Sequence, residues 1–330
     1  MTNKAQTRFL GDKHDCYFAT DPRVNKELAA SLQGKNIVCA GAGRGVGRAC
    51  AEFLTYASAK SISLVALELE EVEETAKLCK DIKPEIKTKV AGFDVKDSDA
   101  VNKFIKEVDQ EFGSVDVVLM NAGRPPQWLH TVECDPDIWW DTVAVSLQGA
   151  FNFARFALPI MQRQKSGVII FTSSAGAHSN IRLGSYTMGK LGMIRLAEIL
   201  HHENFKDYNI KAFAYNPGRV ETRFFTDFRD KVQGKSNPGS YVIEGVPNED
   251  KSAETVVKAF DGVTWDTPQM AAGLVTVLAS GKLDFMSGRY LDASRDIEKY
   301  IEDEKTIRAN DLHRVRLHVA DDWFVPTLDF

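Results

Sequence analysis

The stretch Asn36-Ile37-Val38-Cys39-Ala40-Gly41-Ala42-Gly43-Arg44-Gly45-Val46-Gly47 decides how the rest of the chain is read. A short, mostly apolar run enters a turn with glycines at 41, 43, 45 and 47, and a helical pattern begins at Gly45. Strand, tight turn and helix in that order leave free backbone N–H groups and the positive end of a helix dipole at the turn. Glycines there allow the turn, let a pyrophosphate approach the backbone, and let the helix pack close to the strand. The stretch therefore predicts a βα unit that binds a dinucleotide.

The same rhythm continues outward. Strand candidates follow at Ser61–Leu67, Lys87–Phe93, Asp116–Met120, Gly167–Thr172, Ile210–Tyr215 and Phe285–Leu291, with Asn36–Ala40 as the first. Amphipathic segments begin between them near Gly45, Glu70, Asp97, Pro136 and Gly184. Short apolar strands alternating with helices predict parallel βαβ units buried on both faces. The fold class is α/β: one doubly wound Rossmann-fold domain with a mainly parallel seven-stranded sheet, its ligands at the carboxyl ends of the strands. Residues 35–292 form that domain, between an extension at 1–34 and another at 293–330. Ser294–Leu317 reads as one charged amphipathic helix, followed by Trp323, Phe324 and Phe330. The Gly/Pro-punctuated stretch within 221–268, rich in Phe and Tyr, reads as a substrate lid.

Composition narrows the function classes. The 330 residues carry 41 basic and 46 acidic side chains, a net charge of −5. No densely basic stretch occurs, so nucleic acid and anionic membranes are unsuitable partners. No apolar run reaches the roughly 18 residues needed to span a bilayer. Five cysteines form neither a CxxC pair nor a metal-type cluster. Their odd number fits a reducing compartment, and the N-terminus lacks the apolar core of a signal peptide, so a cytoplasmic protein is expected. No metal is expected.

The candidate chemistry lies after the fifth strand. Tyr186 and Lys190, four residues apart on a helix, share one face. A phenol titrates near 10, and an ammonium close by lowers that value by favouring phenolate. Tyr186 can then give a proton to a carbonyl oxygen, or take one from an alcohol, as hydride moves at carbon. A serine hydroxyl beside the same oxygen would stabilise developing charge. Ser173 and Ser174 both stand at the strand end.

These pieces together resemble the short-chain dehydrogenase/reductase family. Gly41, Gly45 and Gly47 match its TGxxxGxG glycines, with Ala40 in place of the usual Thr. Asp94-Val95 resembles its adenine-contacting pair, and Asn121-Ala122-Gly123 its NAG motif. Asn216-Pro217-Gly218 is similar to the turn past the nicotinamide. There the resemblance implies backbone contacts from Val220 and a carboxamide contact from Thr222, with Val46 and Arg44 in the phosphate loop. It also implies a Ser–Tyr–Lys group in which Lys190 binds the nicotinamide ribose. The family spacing of about 13 selects Ser173 ahead of Tyr186, with Ser174 as the alternative. The terminal pattern Ser287-Gly288-Arg289-Tyr290 looks most like fungal members of specialised metabolism.

The implied activity is an NAD(P)-dependent ketone reductase or secondary alcohol dehydrogenase. Trp128, Phe224, Phe225 and Phe228 are the expected pocket walls and suit a bulky apolar or aromatic small-molecule substrate. The family's cofactor-selecting positions fall on neutral Ala66 and Leu67. Arg44 favours NADP(H) over NAD(H), Glu68 pulls the other way, and both also read as solvated surface groups. One departure stands out: the family's Asn in the long helix is Ser146, and Asn152 follows nearly two turns later. A serine there can bond its own preceding turn and bend the helix slightly. That departure motivates the alternative of a non-redox dehydratase, cyclase or isomerase on the same scaffold. The apolar excess of Asp137–Gln164 and Ser185–His202, including Phe151, Phe153, Phe156, Met193 and Leu200, predicts a homodimer or homotetramer.

Overall fold

Seven parallel strands lie in the order β3-β2-β1-β4-β5-β6-β7. They are β1 (Asn36–Ala40), β2 (Ser61–Ala66), β3 (Lys87–Gly92), β4 (Val117–Met120), β5 (Gly167–Thr172), β6 (Ile210–Asn216) and β7 (Tyr290–Asp292). The computed structural model describes residues 11–180, 182–232, 254, 257, 258 and 260–316. Strand order reverses between β1 and β4, where Ala40 pairs with Val65 on one side and Met120 on the other. Such a reversal opens a crevice at the carboxyl ends of the strands.

Period-two alternation divides the strands between two cores. Ile37 and Cys39 face one, with Val117, Leu119, Phe213 and Tyr215. Val38 and Ala40 face the other, with Val118, Met120, Ala212 and Ala214. The first core is covered by α2 (Gly45–Tyr56), α3 (Leu69–Ile82) and the last crossover helix Pro268–Ser280. The second is covered by α4 (Ser98–Phe112), α6 (Gly149–Gln164) and α7 (Gly184–Tyr208). In α4, Val101, Phe104, Ile105, Val108 and Phe112 recur at helical spacing and are all buried. Asp97 caps its first turn through Asp99 and Ala100 N–H, and Gly113, with φ 88°, ends it.

α5 (Pro136–Val143) runs into α6 through a π-helical segment, Ala144–Gln148. Together Pro136–Gln164 are long and apolar enough to cross a bilayer by length and composition alone. Within this fold α6 instead buries Ala150, Phe153, Ala154, Ala157 and Met161 in the second core. That burial also uses up most of the apolar excess read from the sequence. Phe153, Met193 and Leu200 are core residues, whereas Phe151 is 52% exposed, as are Trp140 at 65% and Met188 at 52%.

Two sequence expectations change here. β7 begins at Tyr290, because Asp284–Met286 forms a 3-10 turn and Gly288 redirects the chain with φ 78°. The single C-terminal helix is two short ones, Ile297–Glu302 and Glu304–Ala309, which meet at Asp303, whose carboxylate binds Arg295 at 2.6 Å. Asp311 and His313 then take positive φ, and the chain returns so that the His313 carbonyl accepts from the Tyr290 N–H. Of the expected lid, residues 233–253 lie outside the described residues, as do Trp323, Phe324 and Phe330.

The N-terminal segment packs along the last crossover and β7. Gly11 N–H donates to Ser294 Oγ, and Tyr17 Oη binds Asp296 and the Ile297 N–H. His14 Nδ1 lies 2.6 Å from Asp266, whose other carboxylate oxygen accepts from the Arg219 N–H. The segment is thereby tied to the turn that follows β6.

Candidate active site

A cleft of about 1440 Å³ opens at the carboxyl ends of the strands, over the β1/β4 reversal. At one end stands the glycine turn. Gly41 has φ 77°, and a Cβ there would meet Ala122 N at 2.4 Å. Gly47 does not line the cleft; a Cβ on it would sit 2.0 Å from the Gly41 carbonyl oxygen, so it serves helix–strand packing. Asn121 Nδ2 donates to that same oxygen at 2.9 Å and ties the β4 end to the turn. Arg44 caps α2 without a side-chain bond to its first turn, so no side chain competes with a phosphate there. Gly41, Arg44, Gly45, Val46, Asp94, Val95, Asn121, Ala122, Gly123, Pro217, Gly218, Val220 and Thr222 all line this cleft. The residues present fit a dinucleotide.

The chemical groups lie further along. Lys190 is buried, and its ammonium donates to the Thr172 carbonyl at 2.7 Å. Burial pushes its pKa down to about 8. Its Nζ is 5.6 Å from the centre of the Tyr186 ring. Burial raises the Tyr186 phenol, and a hydrogen bond with the Ser174 side chain pulls it back. The expected lowering by Lys190 therefore gives way to desolvation.

The two candidate serines take different partners. The spacing of 13 selected Ser173, but Ser173 Oγ donates to the Lys190 carbonyl at 2.9 Å. The hydroxyl at the phenol belongs to Ser174, which also accepts from the Gly176 N–H at 3.0 Å and caps the turn Ala175–His178. Successive residues leaving a strand point to opposite sides, so one step in sequence reverses the side chain. Asn216 fixes this turn: its Oδ1 accepts from Ala175 N–H, and its Nδ2 donates to Asp292, each at 3.0 Å.

Ser146 is fully buried in the π segment, and its hydroxyl has no partner among the described residues. It does not bond the preceding turn; the helix accommodates this site by widening. A Cβ on Gly189 would approach Ser146 Cβ to 3.0 Å, so α7 lies close against it. Asn152 instead donates to the Val95 carbonyl at 3.0 Å and secures the Asp94–Lys96 turn. π-bulges of this kind recur at functional sites.

The wall opposite is aromatic. Phe225 lies on α8 (Arg223–Val232), 4.6 Å from Phe260 and 5.1 Å from Trp265 between ring centres. Trp128, Phe225, Phe260 and Trp265 face the cleft. Phe228 does not: it is fully buried, stacked 5.3 Å from Trp128. The Phe224 side chain lies outside the description.

Comparison with known proteins agrees with this geometry. The short chain dehydrogenase family model matches residues 35–233. The chain belongs to that family. It is 29% identical over 288 residues to a short chain dehydrogenase of Monascus purpureus, covering 86% of this chain and 89% of the relative. A Monascus ruber short chain dehydrogenase is 26% identical, with coverage of 92% and 91%. Among solved structures, levodione reductase superposes with a TM-score of 0.68 at 24% identity, over 79% of this chain and 96% of that one. NAD+-bound xylitol dehydrogenase gives 0.66 at 23%, over 79% and 98%. Members of this oxidoreductase family bind NAD(P) and act on small molecules.

Several cleft residues of this short chain dehydrogenase escape sequence reading. Tyr290 and Asp292 look like ordinary strand residues, and only the sheet order brings the β7 end beside β6 and the Ser174 turn. His178 reads as a loop histidine but lines the cleft, its pKa lowered by burial. His201 and His202 stay on α7, away from it.

Proposed function

We propose that this short chain dehydrogenase reduces a ketone, or oxidises the matching secondary alcohol, on a bulky apolar or aromatic substrate. The observation that carries this reading is the cleft-lining group of Ser174, Tyr186 and buried Lys190, its ammonium 5.6 Å from the Tyr186 ring, at the foot of an aromatic wall. The dinucleotide supplies or accepts the hydride. In reduction, the Tyr186 phenol gives its proton to the carbonyl oxygen, and Ser174 holds that oxygen and stabilises its charge. Lys190 stabilises the resulting phenolate. A panel of aryl ketones followed at the nicotinamide absorbance tests this; one nicotinamide consumed per alcohol formed supports it. Product formed with the dinucleotide pool unchanged would overturn it.

The cofactor reading extends to NADP(H) in preference to NAD(H). Arg44 Nη1 lies 2.8 Å from Glu71 Oε1, and Arg223 Nη1 lies 3.7 Å from the same oxygen. Two guanidinium groups meet one carboxylate at the cleft edge beyond β2. A 2′-phosphate can take the place of Glu71 as their partner; a 2′-hydroxyl cannot. Arg44→Ala should therefore weaken NADPH about tenfold and NADH little, while Glu71→Gln should tighten NADPH. Dissociation constants from nicotinamide fluorescence decide, and equal losses for both cofactors would remove Arg44 as the selector.

We also place the protein in the cytoplasm, since all five cysteines are free. Exposed Trp140, Phe151 and Met188 on α5, α6 and α7 support a homodimer or homotetramer joined through that face. Light scattering at micromolar concentration should report more than the 36.7 kDa of one chain, and Phe151→Lys should shift it toward monomer. A monomer in the unmodified protein refutes the assembly.

A further inference from the structure

Tyr290, the first residue of β7, is 7% exposed and lines the cleft. Its backbone N–H is satisfied by the His313 carbonyl at 2.9 Å. Its ring meets His178 edge to face, 5.5 Å between centres and 80° between planes. His178 closes the 3-10 turn that Ser174 opens, so Tyr290 borders the same turn as the catalytic hydroxyl pair. The Tyr290 phenol, however, has no hydrogen-bond partner among the described residues.

That sets it apart from the other well-buried phenols. Tyr300 Oη accepts from the Asp292 N–H at 2.8 Å, Tyr215 Oη accepts from Thr172 Oγ1 at 3.2 Å, and Tyr17 Oη donates to Asp296 at 3.0 Å. The ring of Tyr290 is buried, but its oxygen is not among the buried unpartnered atoms; it is left for whatever fills the cleft. Phenylalanine would pack on His178 equally well. Packing thus accounts for the ring and not for the oxygen.

Resting on the ketone-reductase reading above, we infer that Tyr290 Oη holds a second oxygen of the substrate. The substrate is accordingly a carbonyl compound with a hydroxyl or second carbonyl group near the reacting one, its apolar remainder against Phe225, Phe260 and Trp265. The phenol donates to a carbonyl or accepts from a hydroxyl, so either substituent satisfies it. The reacting carbonyl keeps Ser174 and Tyr186. Tyr290 takes no part in proton transfer; it is a specificity-determining residue.

The test uses Tyr290→Phe in the full chain with three matched ketones: propiophenone, 1-phenyl-1,2-propanedione and 1-phenyl-1,3-butanedione. In wild type at least one dione should exceed propiophenone by about tenfold in kcat/KM, roughly the effect of one buried hydrogen bond. Tyr290→Phe should erase that advantage and leave propiophenone within twofold. Binding is measured in parallel by quenching of the cleft tryptophans Trp128 and Trp265, where the dione alone should weaken about tenfold. The variant should melt no lower than wild type, since the hydroxyl it removes bonds nothing in the described protein.

Equal losses for all three ketones, no change for any, a lower melting temperature, or no dione binding to wild type would overturn the proposal. Reduction without discrimination refutes Tyr290 alone. Dione binding that depends on Tyr290, without reduction of any ketone, refutes the ketone-reductase reading and leaves the anchor standing.

Discussion

Tyr186→Phe should remove hydride transfer, by roughly 10²–10⁴-fold in kcat, the range a positioned proton donor commands. NADPH binding should stay within about twofold of wild type, because the phosphate end of the cleft is built from the glycine turn and the α2 N-terminus. The ring should remain seated, since phenylalanine differs only by the hydroxyl that meets Ser174. The pH dependence provides an independent check. Burial raises the Tyr186 phenol, so at neutral pH it is protonated and ready to act as an acid. Lys190 releases its proton near pH 8, well below an ordinary lysine, because its ammonium is buried. Reduction should therefore be steady below that pH and fall as pH rises through about 8, when a neutral amine no longer stabilises the developing phenolate. Rapid-mixing measurement of nicotinamide oxidation across pH 6–10 reads this directly. Wild-type turnover in Tyr186→Phe would remove the assignment.

The fold was legible because it is written in local periodicity. Six strands begin within one residue of their expected positions: five are short, mostly apolar runs buried on both faces, and the partly exposed edge strand β3 keeps its place in the alternation of strands and helices. β7 was misplaced because Phe285 and Met286 are apolar for packing in a turn, and periodicity does not distinguish that from a strand. The glycine turn was equally plain, since each glycine there answers a local steric need. What escaped depends on contacts distant in sequence. Arg44 alone reads as a phosphate ligand, but its present partner, Glu71, comes from another helix. Phe228 reads as a pocket wall, yet the turn of α8 sends it behind Trp128. Tyr290 reads as a core strand residue, and only the parallel register of Ala214 with Tyr290 carries it to the cleft. Ser146 shows a third kind of limit: the residue was visible, but not the π-helical widening that receives it.

The two serines give the sharpest contrast between counting residues and following the backbone. Ser173 follows β5 directly; its N–H donates to the Tyr215 carbonyl, and its hydroxyl is spent on the Lys190 carbonyl, away from the reacting oxygen. Ser174 is extended, with φ −167° and ψ 154°, which turns its hydroxyl toward Gly176 N–H and the Tyr186 phenol. Ser174→Ala should accordingly cost about 10²–10³ in kcat, comparable to losing one donor to a developing oxyanion, with little change in melting temperature. Ser173→Ala should do the reverse. It removes a buried hydrogen bond, so stability should fall by about 1 kcal/mol while kcat drops less than tenfold. Thermal denaturation and single-turnover rates, measured on both variants with one ketone, separate the outcomes. Should Ser173→Ala show the hundredfold loss and Ser174→Ala keep its rate, the catalytic hydroxyl returns to Ser173. Its bond to the Lys190 carbonyl would then have to open, because in its present form that bond, at 2.9 Å, occupies the Ser173 hydroxyl.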